Sequence, residues 1–219
     1  MKFKAAIFDF NGTLFWDTAY HNQAFDIFLQ KHNIKISDQE KRIKIHGKSN
    51  RDIMDAIFNR SFTNEEAAPL AIEKELIYQK LCVNDLHLAP GAEDLLNYLK
   101  AIGIPFTIAT SCGKENVDFY FKHMNINKWF SKEKVVFNDG NFRAKPFPDL
   151  FLAASENLHT SPCETVFFED SLAGIKSAEN AGAGKIYIVN STDEDFSCFP
   201  HEVITHFNQV NRELFYSND

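Results

Sequence analysis

The segment Ala5-Ala6-Ile7-Phe8-Asp9-Phe10-Asn11-Gly12-Thr13-Leu14 decides how the rest of the chain is read. Its first four residues make a brief apolar run between a lysine and an aspartate, and they read as a buried β-strand. The aspartate leaves that strand into a glycine turn, so it faces any crevice that opens at the strand's carboxyl end. By itself such a residue is more simply an Asx turn or a helix cap. Its meaning depends on what the other strand ends carry.

Four further runs of the same kind follow: Phe106 to Ala109, Val135 to Phe137, Val166 to Phe168, and Ile186 to Val189. Helical stripes separate several of them. Ala92, Leu95, Leu96 and Leu99 form one, and Phe151, Ala154 and Leu158 another, with Pro148 placed for a helix start. Strands alternating with helices predict an α/β protein with a parallel, Rossmann-like sheet covered on both faces. Between the first two strands lies a long stretch with several amphipathic patterns: Phe25, Phe28 and Leu29; Ile53, Met54, Ile57 and Phe58; Ile72, Leu76, Ile77 and Leu81. A simple crossover needs one helix. Several helices predict an inserted helical domain at 16-85, returning at Leu88-Ala89-Pro90-Gly91 to a core made of 1-15 and 86-219. Toward the C-terminus a short strand at Val203-Ile204 and a following helix are expected.

Composition narrows the function classes. The 219 residues are 44% apolar and 24% charged, with 22 phenylalanines that point to a well-packed interior. A formal net charge of -7 argues against nucleic acid as a partner. It leaves room for anionic substrates, because a divalent cation and a few placed lysines invert the local field. No apolar stretch approaches membrane-spanning length, and Asp9 interrupts the first one too early for a secretory signal. Cys82, Cys112, Cys163 and Cys198 show no metal-ligand spacing. The expectation is a cytoplasmic monomer with reduced thiols.

Four polar sites fall at the predicted strand ends, where ligands bind in open parallel sheets. The first is Asp9. The second is Thr110-Ser111, whose hydroxyls, with the N–H groups of the next helix start, suit an anion; taken singly they suit an N-cap equally well. The third is Lys145, set before Pro146-Phe147-Pro148-Asp149. The fourth is Glu169-Asp170-Ser171, where two adjacent carboxylates end an apolar strand. Their mutual repulsion and burial are costly unless a cation sits nearby, and a hard divalent ion relieves both.

In order, Asp9-x-x-Gly12-Thr13-Leu14, Thr110, Lys145-Pro146-x-Pro148-Asp149 and Phe168-Glu169-Asp170-Ser171-x-x-Gly174-Ile175 resemble the four motifs of the haloacid dehalogenase superfamily, nearest to its β-phosphoglucomutase-like and phosphoglycolate-phosphatase-like branch. The resemblance spans the whole core. It implies that Asp9 attacks phosphorus and becomes an aspartyl phosphate, and that Thr110 and Lys145 bind the transferring phosphoryl oxygens. It further implies Mg²⁺ held by Asp9, the backbone carbonyl of Asn11 and Asp170, with Glu169 reaching it directly or through water. The helical insertion then matches the family's mobile cap, and in His46-Gly47-Lys48-Ser49-Asn50-Arg51 the residues Lys48 and Arg51 match a substrate-binding loop. As bare sequence, both are equally solvated helix-end charges. The expected partner is a small phosphorylated metabolite.

One position departs from the family pattern. Its phosphatases and phosphomutases mostly carry an acid–base aspartate two residues after the nucleophile, where this chain has Asn11. An amide can neither protonate a leaving oxygen nor activate water at neutral pH. Four explanations stand: a substrate with a good leaving group, a substitute acid such as His21 or His46, a binding or regulatory relative with little turnover, or a substitution that traps a complex. A phosphomutase needs the acid–base group more than a phosphatase does, so Asn11 counts against mutase activity. The metal-free dehalogenase branch leaves Glu169-Asp170 unexplained. A Schiff-base role for Lys48, as in the phosphonate hydrolases, has no support beyond its place.

Overall fold

Parallel strands must be joined by crossovers, and the helices that make them cover both faces of the sheet. The computed structural model describes residues 2–45 and 50–215. Its strands are β1 (Ala5–Phe8), β2 (Phe106–Thr110), β3 (Val136–Phe137), β4 (Thr165–Glu169), β5 (Lys185–Val189) and β6 (Glu202–Ile204). Its helices are α1 (Thr18–Lys31), α2 (Asp38–Lys44), α3 (Asn50–Phe58), α4 (Asn64–Cys82), α5 (Ala92–Ala101), α6 (Lys114–His123), α7 (Asp149–Asn157) and α8 (Leu172–Ala181). The strands pair in the order β3-β2-β1-β4-β5-β6, and every pairing is parallel. This is the expected α/β sheet.

The order matters for function. From β1 the chain moves outward through β2 and β3, then returns to β4 on the other side and moves the opposite way. Crossovers diverge between β1 and β4, so a crevice opens at the carboxyl ends of those two strands. Their register is fixed by packing. Phe8 lies opposite Phe168, the two rings stack at 4.5 Å, and Phe168 stacks on Tyr187 of β5 at 5.4 Å. On the other face Ile7, Phe167 and Ile186 pack with Leu150, Phe151 and Ala154 of α7 and Ile175 and Ala178 of α8. Much of the phenylalanine content is spent here, with Phe8, Phe10, Phe15, Phe151, Phe167, Phe168 and Phe207 all fully buried.

The chain divides into two compact units, Met1–Trp16 with His87–Asp219, and Asp17–Leu86. The second is all helical. Capping boxes start two of its helices, Ser37 with Glu40 before α2 and Thr63 with Glu66 before α4. Its core gathers Phe25, Phe28, Leu29, Ile53, Met54, Ile57 and Phe62, in line with two of the three predicted stripes.

The third stripe is corrected. Ile72 and Leu76 are 41% and 51% exposed, and α4 instead buries Ala67, Ala71, Lys74, Tyr78 and Cys82. Polar partners decide this choice. The Tyr78 hydroxyl donates to Asp17 Oδ2 at 2.5 Å, and Lys74 Nζ lies 3.3 Å from His21 Nδ1 and 2.6 Å from Glu75 Oε1. Once its polar atoms are met, a long amphipathic side chain buries its stem as well as an aliphatic one does. At the C-terminus β6 forms as expected, but short 3-10 turns at Phe207–Gln209 and Arg212–Leu214 follow it where a helix was expected. His206 and Gln209 cap the first turn with side-chain hydrogen bonds, and the backbone extends again at Val210. No described helix is long and apolar enough to cross a membrane.

Candidate active site

Asp9 follows β1 directly, and its N–H continues the ladder by donating to the Phe168 carbonyl at 2.9 Å. The side chain therefore emerges at the β1/β4 crevice, where it is 6% exposed. The chain then turns at Gly12, whose φ is +77°. A side chain there would be doubly excluded: the backbone is left-handed, and a Cβ would stand 2.0 Å from Asp170 Oδ2. The adjacent Thr13, fully buried, donates its hydroxyl to Asp170 Oδ1 at 2.9 Å. The turn after β1 thus receives a carboxylate from the end of β4.

Glu169, the last residue of β4, has no exposure. Its Oε2 accepts from the Asp170 and Ser171 N–H groups at 3.1 and 3.2 Å and from the Ser171 hydroxyl at 3.2 Å. A Cβ on Gly174 would fall 2.0 Å from that same oxygen, so the motif glycine makes room for the carboxylate. Glu169 Oε1 accepts from Lys145 Nζ, which also donates to Asp9 Oδ1 at 2.6 Å. Oxygens of Asp9, Glu169 and Asp170 all lie within 4.8 Å of one another. Among the described residues this is the cluster that could hold a metal ion.

Charge does not balance within it. Three carboxylates face one ammonium in a largely buried space. Burial, and then the neighbouring charges of Glu169 and Asp9, hold the Asp170 carboxyl well above the usual carboxylate range. Burial works against the charge on Lys145, but Asp9 and Glu169 outweigh it and keep the ammonium more basic than usual. If all three acids are ionised the cluster carries two uncompensated negative charges, the amount a divalent cation neutralises. Carboxylate oxygens are the hard donors such an ion takes, and three of them within 4.8 Å of one another make a donor set that fits Mg²⁺.

Thr110 ends β2, is buried, and accepts from the Cys112 N–H at 3.2 Å. Ser111 beside it is exposed. Arg51 is exposed in the first turn of α3, its Nη2 3.8 Å from Asp52 Oδ1. Lys48 and His46 lie outside the described residues. Sequence reading left two neighbours without roles. Thr13 was visible within the first motif, but Tyr120 carried no signal, being 109 positions from its partner. Asn11 Nδ2 donates to the Tyr120 hydroxyl at 2.7 Å, and the Tyr120 ring lies 4.4 Å from that of Phe10.

Comparisons with known proteins bear on the family. A family model described as haloacid dehalogenase-like hydrolase matches residues 6–188. The phosphorylated carbohydrates phosphatase of Thermotoga maritima is 25% identical over 196 residues, 87% of this chain and 88% of that protein. A HAD hydrolase of family IA, variant 3, from Entamoeba histolytica is 33% identical, with a TM-score of 0.87 over 98% of this chain and 97% of that one. The β-phosphoglucomutase of Clostridium difficile is 25% identical, with a TM-score of 0.77 over 96% and 94% of the two chains. With the family model covering residues 6–188 of the 219, this chain belongs to the haloacid dehalogenase-like hydrolase family.

Proposed function

We propose that the chain is a Mg²⁺-dependent phosphohydrolase that acts on a small phosphorylated metabolite through an aspartyl phosphate at Asp9. The observation that carries this reading is the convergence of Asp9, Glu169 and Asp170 on one point at the β1/β4 crevice, three carboxyl groups against the single ammonium of Lys145. Asp9, Glu169 and Asp170, with the Asn11 carbonyl, would hold the cation. When bound, it supplies positive charge to the phosphoryl oxygens and fixes their orientation.

The residues of the chain do the rest. The Asp9 carboxylate attacks phosphorus, a P–O bond to the leaving group breaks, and the leaving oxygen departs with the bonding pair. Water then attacks phosphorus, the acyl-phosphate P–O bond breaks, and the Asp9 carboxylate returns with inorganic phosphate as product. Lys145 and Thr110, with Ser111 at the entrance, bind the oxygens on which charge is carried during both displacements. Lys48 and Arg51 are kept as substrate-binding positions. The helical insertion, expected at 16-85, fills the place of the substrate-selecting cap.

Asn11 narrows the substrate. It offers no proton to a departing alkoxide, which favours acyl or aryl phosphates, whose leaving groups need none, and disfavours a phosphomutase role. The test is phosphate release across a panel of phosphorylated metabolites. Turnover that is lost in EDTA and restored by Mg²⁺ supports the reading; no release from any member contradicts it.

A further inference from the structure

Proline has no N–H, so the turn Lys145-Pro146-Phe147-Pro148 is poor in backbone donors and its carbonyls must be met from outside. Within the turn the Phe147 N–H donates to the Ala144 carbonyl at 3.1 Å. The outside donors come from α8. Ser177 Oγ donates to the Phe147 carbonyl at 2.7 Å, and Asn180 Nδ2 to the Pro146 carbonyl at 2.9 Å. Three residues apart, these side chains share one helix face. Ser177 has no exposure, whereas Asn180 stands at the surface.

The other end of α8 is fastened to the metal-cluster carboxylates. The Ser171 hydroxyl donates to Glu169 Oε2 and accepts from the Gly174 N–H at 3.0 Å, and Gly174 packs against the Glu169 carboxyl. A two-point pair spans the turn itself, with Arg143 Nε 2.9 Å from Asp149 Oδ2 and Nη2 2.6 Å from Oδ1. One helix thus ties the turn that carries Lys145 to the residue that Lys145 meets.

We propose that Ser177 and Asn180 are positioning residues that hold Lys145 Nζ against Asp9 Oδ1, acting through the carbonyls of Phe147 and Pro146. The kinetic consequence rests on the phosphohydrolase reading; the geometric one does not. A carbonyl stripped of its donor no longer ties the turn to α8, and a shift of about 1 Å at a catalytic group costs roughly 10²-fold in rate.

The experiment uses Ser177→Ala and Asn180→Asp, alone and together, with and without Lys145→Ala. Asn180→Asp keeps the shape, removes the donor and lies at the surface, so it reports even if Ser177→Ala folds poorly. The combined variant is expected to lose about ten- to a hundredfold in kcat with a smaller change in KM, and to add nothing once Lys145 is alanine. Losses of equal size in both backgrounds would mean a general structural role and overturn the proposal. A crystal structure of the combined variant decides the geometry without any substrate: Lys145 Nζ should stand beyond hydrogen-bond distance of Asp9, and a retained 2.6 Å contact overturns the proposal. Absence of turnover in the unmodified protein would remove the phosphohydrolase reading and leave that structural outcome to stand.

Discussion

The two units each bury a lysine among acids, and they resolve the resulting charge differently. In the helical unit Lys74 reaches His21 Nδ1 and Glu75, while Asp17 takes the Tyr78 hydroxyl and faces His21 Nε2 at 3.3 Å. His21 stacks face to face on Tyr78 with ring centres 3.9 Å apart. Its two ring nitrogens each face one neighbour, Nε2 toward Asp17 and Nδ1 toward Lys74. One ammonium there stands against two carboxylates, and one of them, Glu75, reaches solvent. In the core unit the acids outnumber the lysine further and all are largely buried, since Lys145 faces three carboxyl groups converging on one point. Carboxylates met by neighbouring donors and by solvent hold the fold, whereas buried carboxyl groups converging on one point, with Asp170 held well above its usual range, suit a cation. That difference separates the buried polar groups that hold the fold from those proposed to act.

The largest expected effect breaks the unbalanced side. Asp170→Ala removes one of the carboxylates proposed to hold the cation and should take kcat/KM to background, a loss of about 10³-fold or more if the ion supplies several kcal/mol of charge stabilisation. Mg²⁺ should raise the melting temperature of the parent protein, and the same variant should lose that shift. At a concentration 100 times its Kd an ion bound to the folded state alone adds about 2.7 kcal/mol, which scanning calorimetry resolves easily. An unchanged shift in Asp170→Ala would place the ion elsewhere.

Next in size is Asn11→Asp. If a missing proton donor limits turnover, this change should raise activity on sugar phosphates by roughly 10²-fold and leave aryl or acyl phosphates nearly unaffected. The comparison is kcat/KM over a leaving-group series at saturating Mg²⁺. Equal gains on all substrates would point to a role in binding instead.

Much of this was legible before any coordinates. The strands were brief apolar runs, and Asp9, Thr110 and Glu169-Asp170 sat where such runs ended, so the strands and the polar groups at their ends followed from one-dimensional pattern, whereas the order that sets β1 beside β4 did not. What the sequence hid was pairing across distance. The α4 stripe Ile72-Leu76 is as apolar as any buried face, but the opposite face was chosen because Tyr78 and Lys74 find Asp17 and His21, more than fifty positions earlier. Tyr120, Ser177 and Asn180 were invisible for the same reason: a hydroxyl or an amide in a helix gives no sign of which distant carbonyl or side chain it will meet.

Smaller effects sharpen the contrast through stability. Tyr78→Phe leaves a buried carboxylate short of a donor and should cost about 1–3 kcal/mol in urea unfolding of the helical unit. Asp170→Asn in metal-free protein should do the opposite and stabilise the core unit, because it removes a charge that burial and its neighbours disfavour. If both variants were destabilised alike, the charge imbalance would not be real. The smallest effect is at Cys82, whose thiol burial pushes up to about 11. At neutral pH it should resist Ellman's reagent until the helical unit unfolds, while the exposed Cys163 and Cys198 react at once.

The central claim is a covalent one, that Asp9 carries the phosphoryl group between substrate and water. Acid quenching during steady-state turnover of an acyl or aryl phosphate, followed by proteolysis and mass spectrometry, looks for that bond. The expected result is the mass of one phosphoryl group on the peptide containing Asp9, absent from Asp9→Asn, whose turnover falls to background. A phosphorylated peptide from elsewhere in the chain, or sustained turnover by Asp9→Asn, would contradict the mechanism.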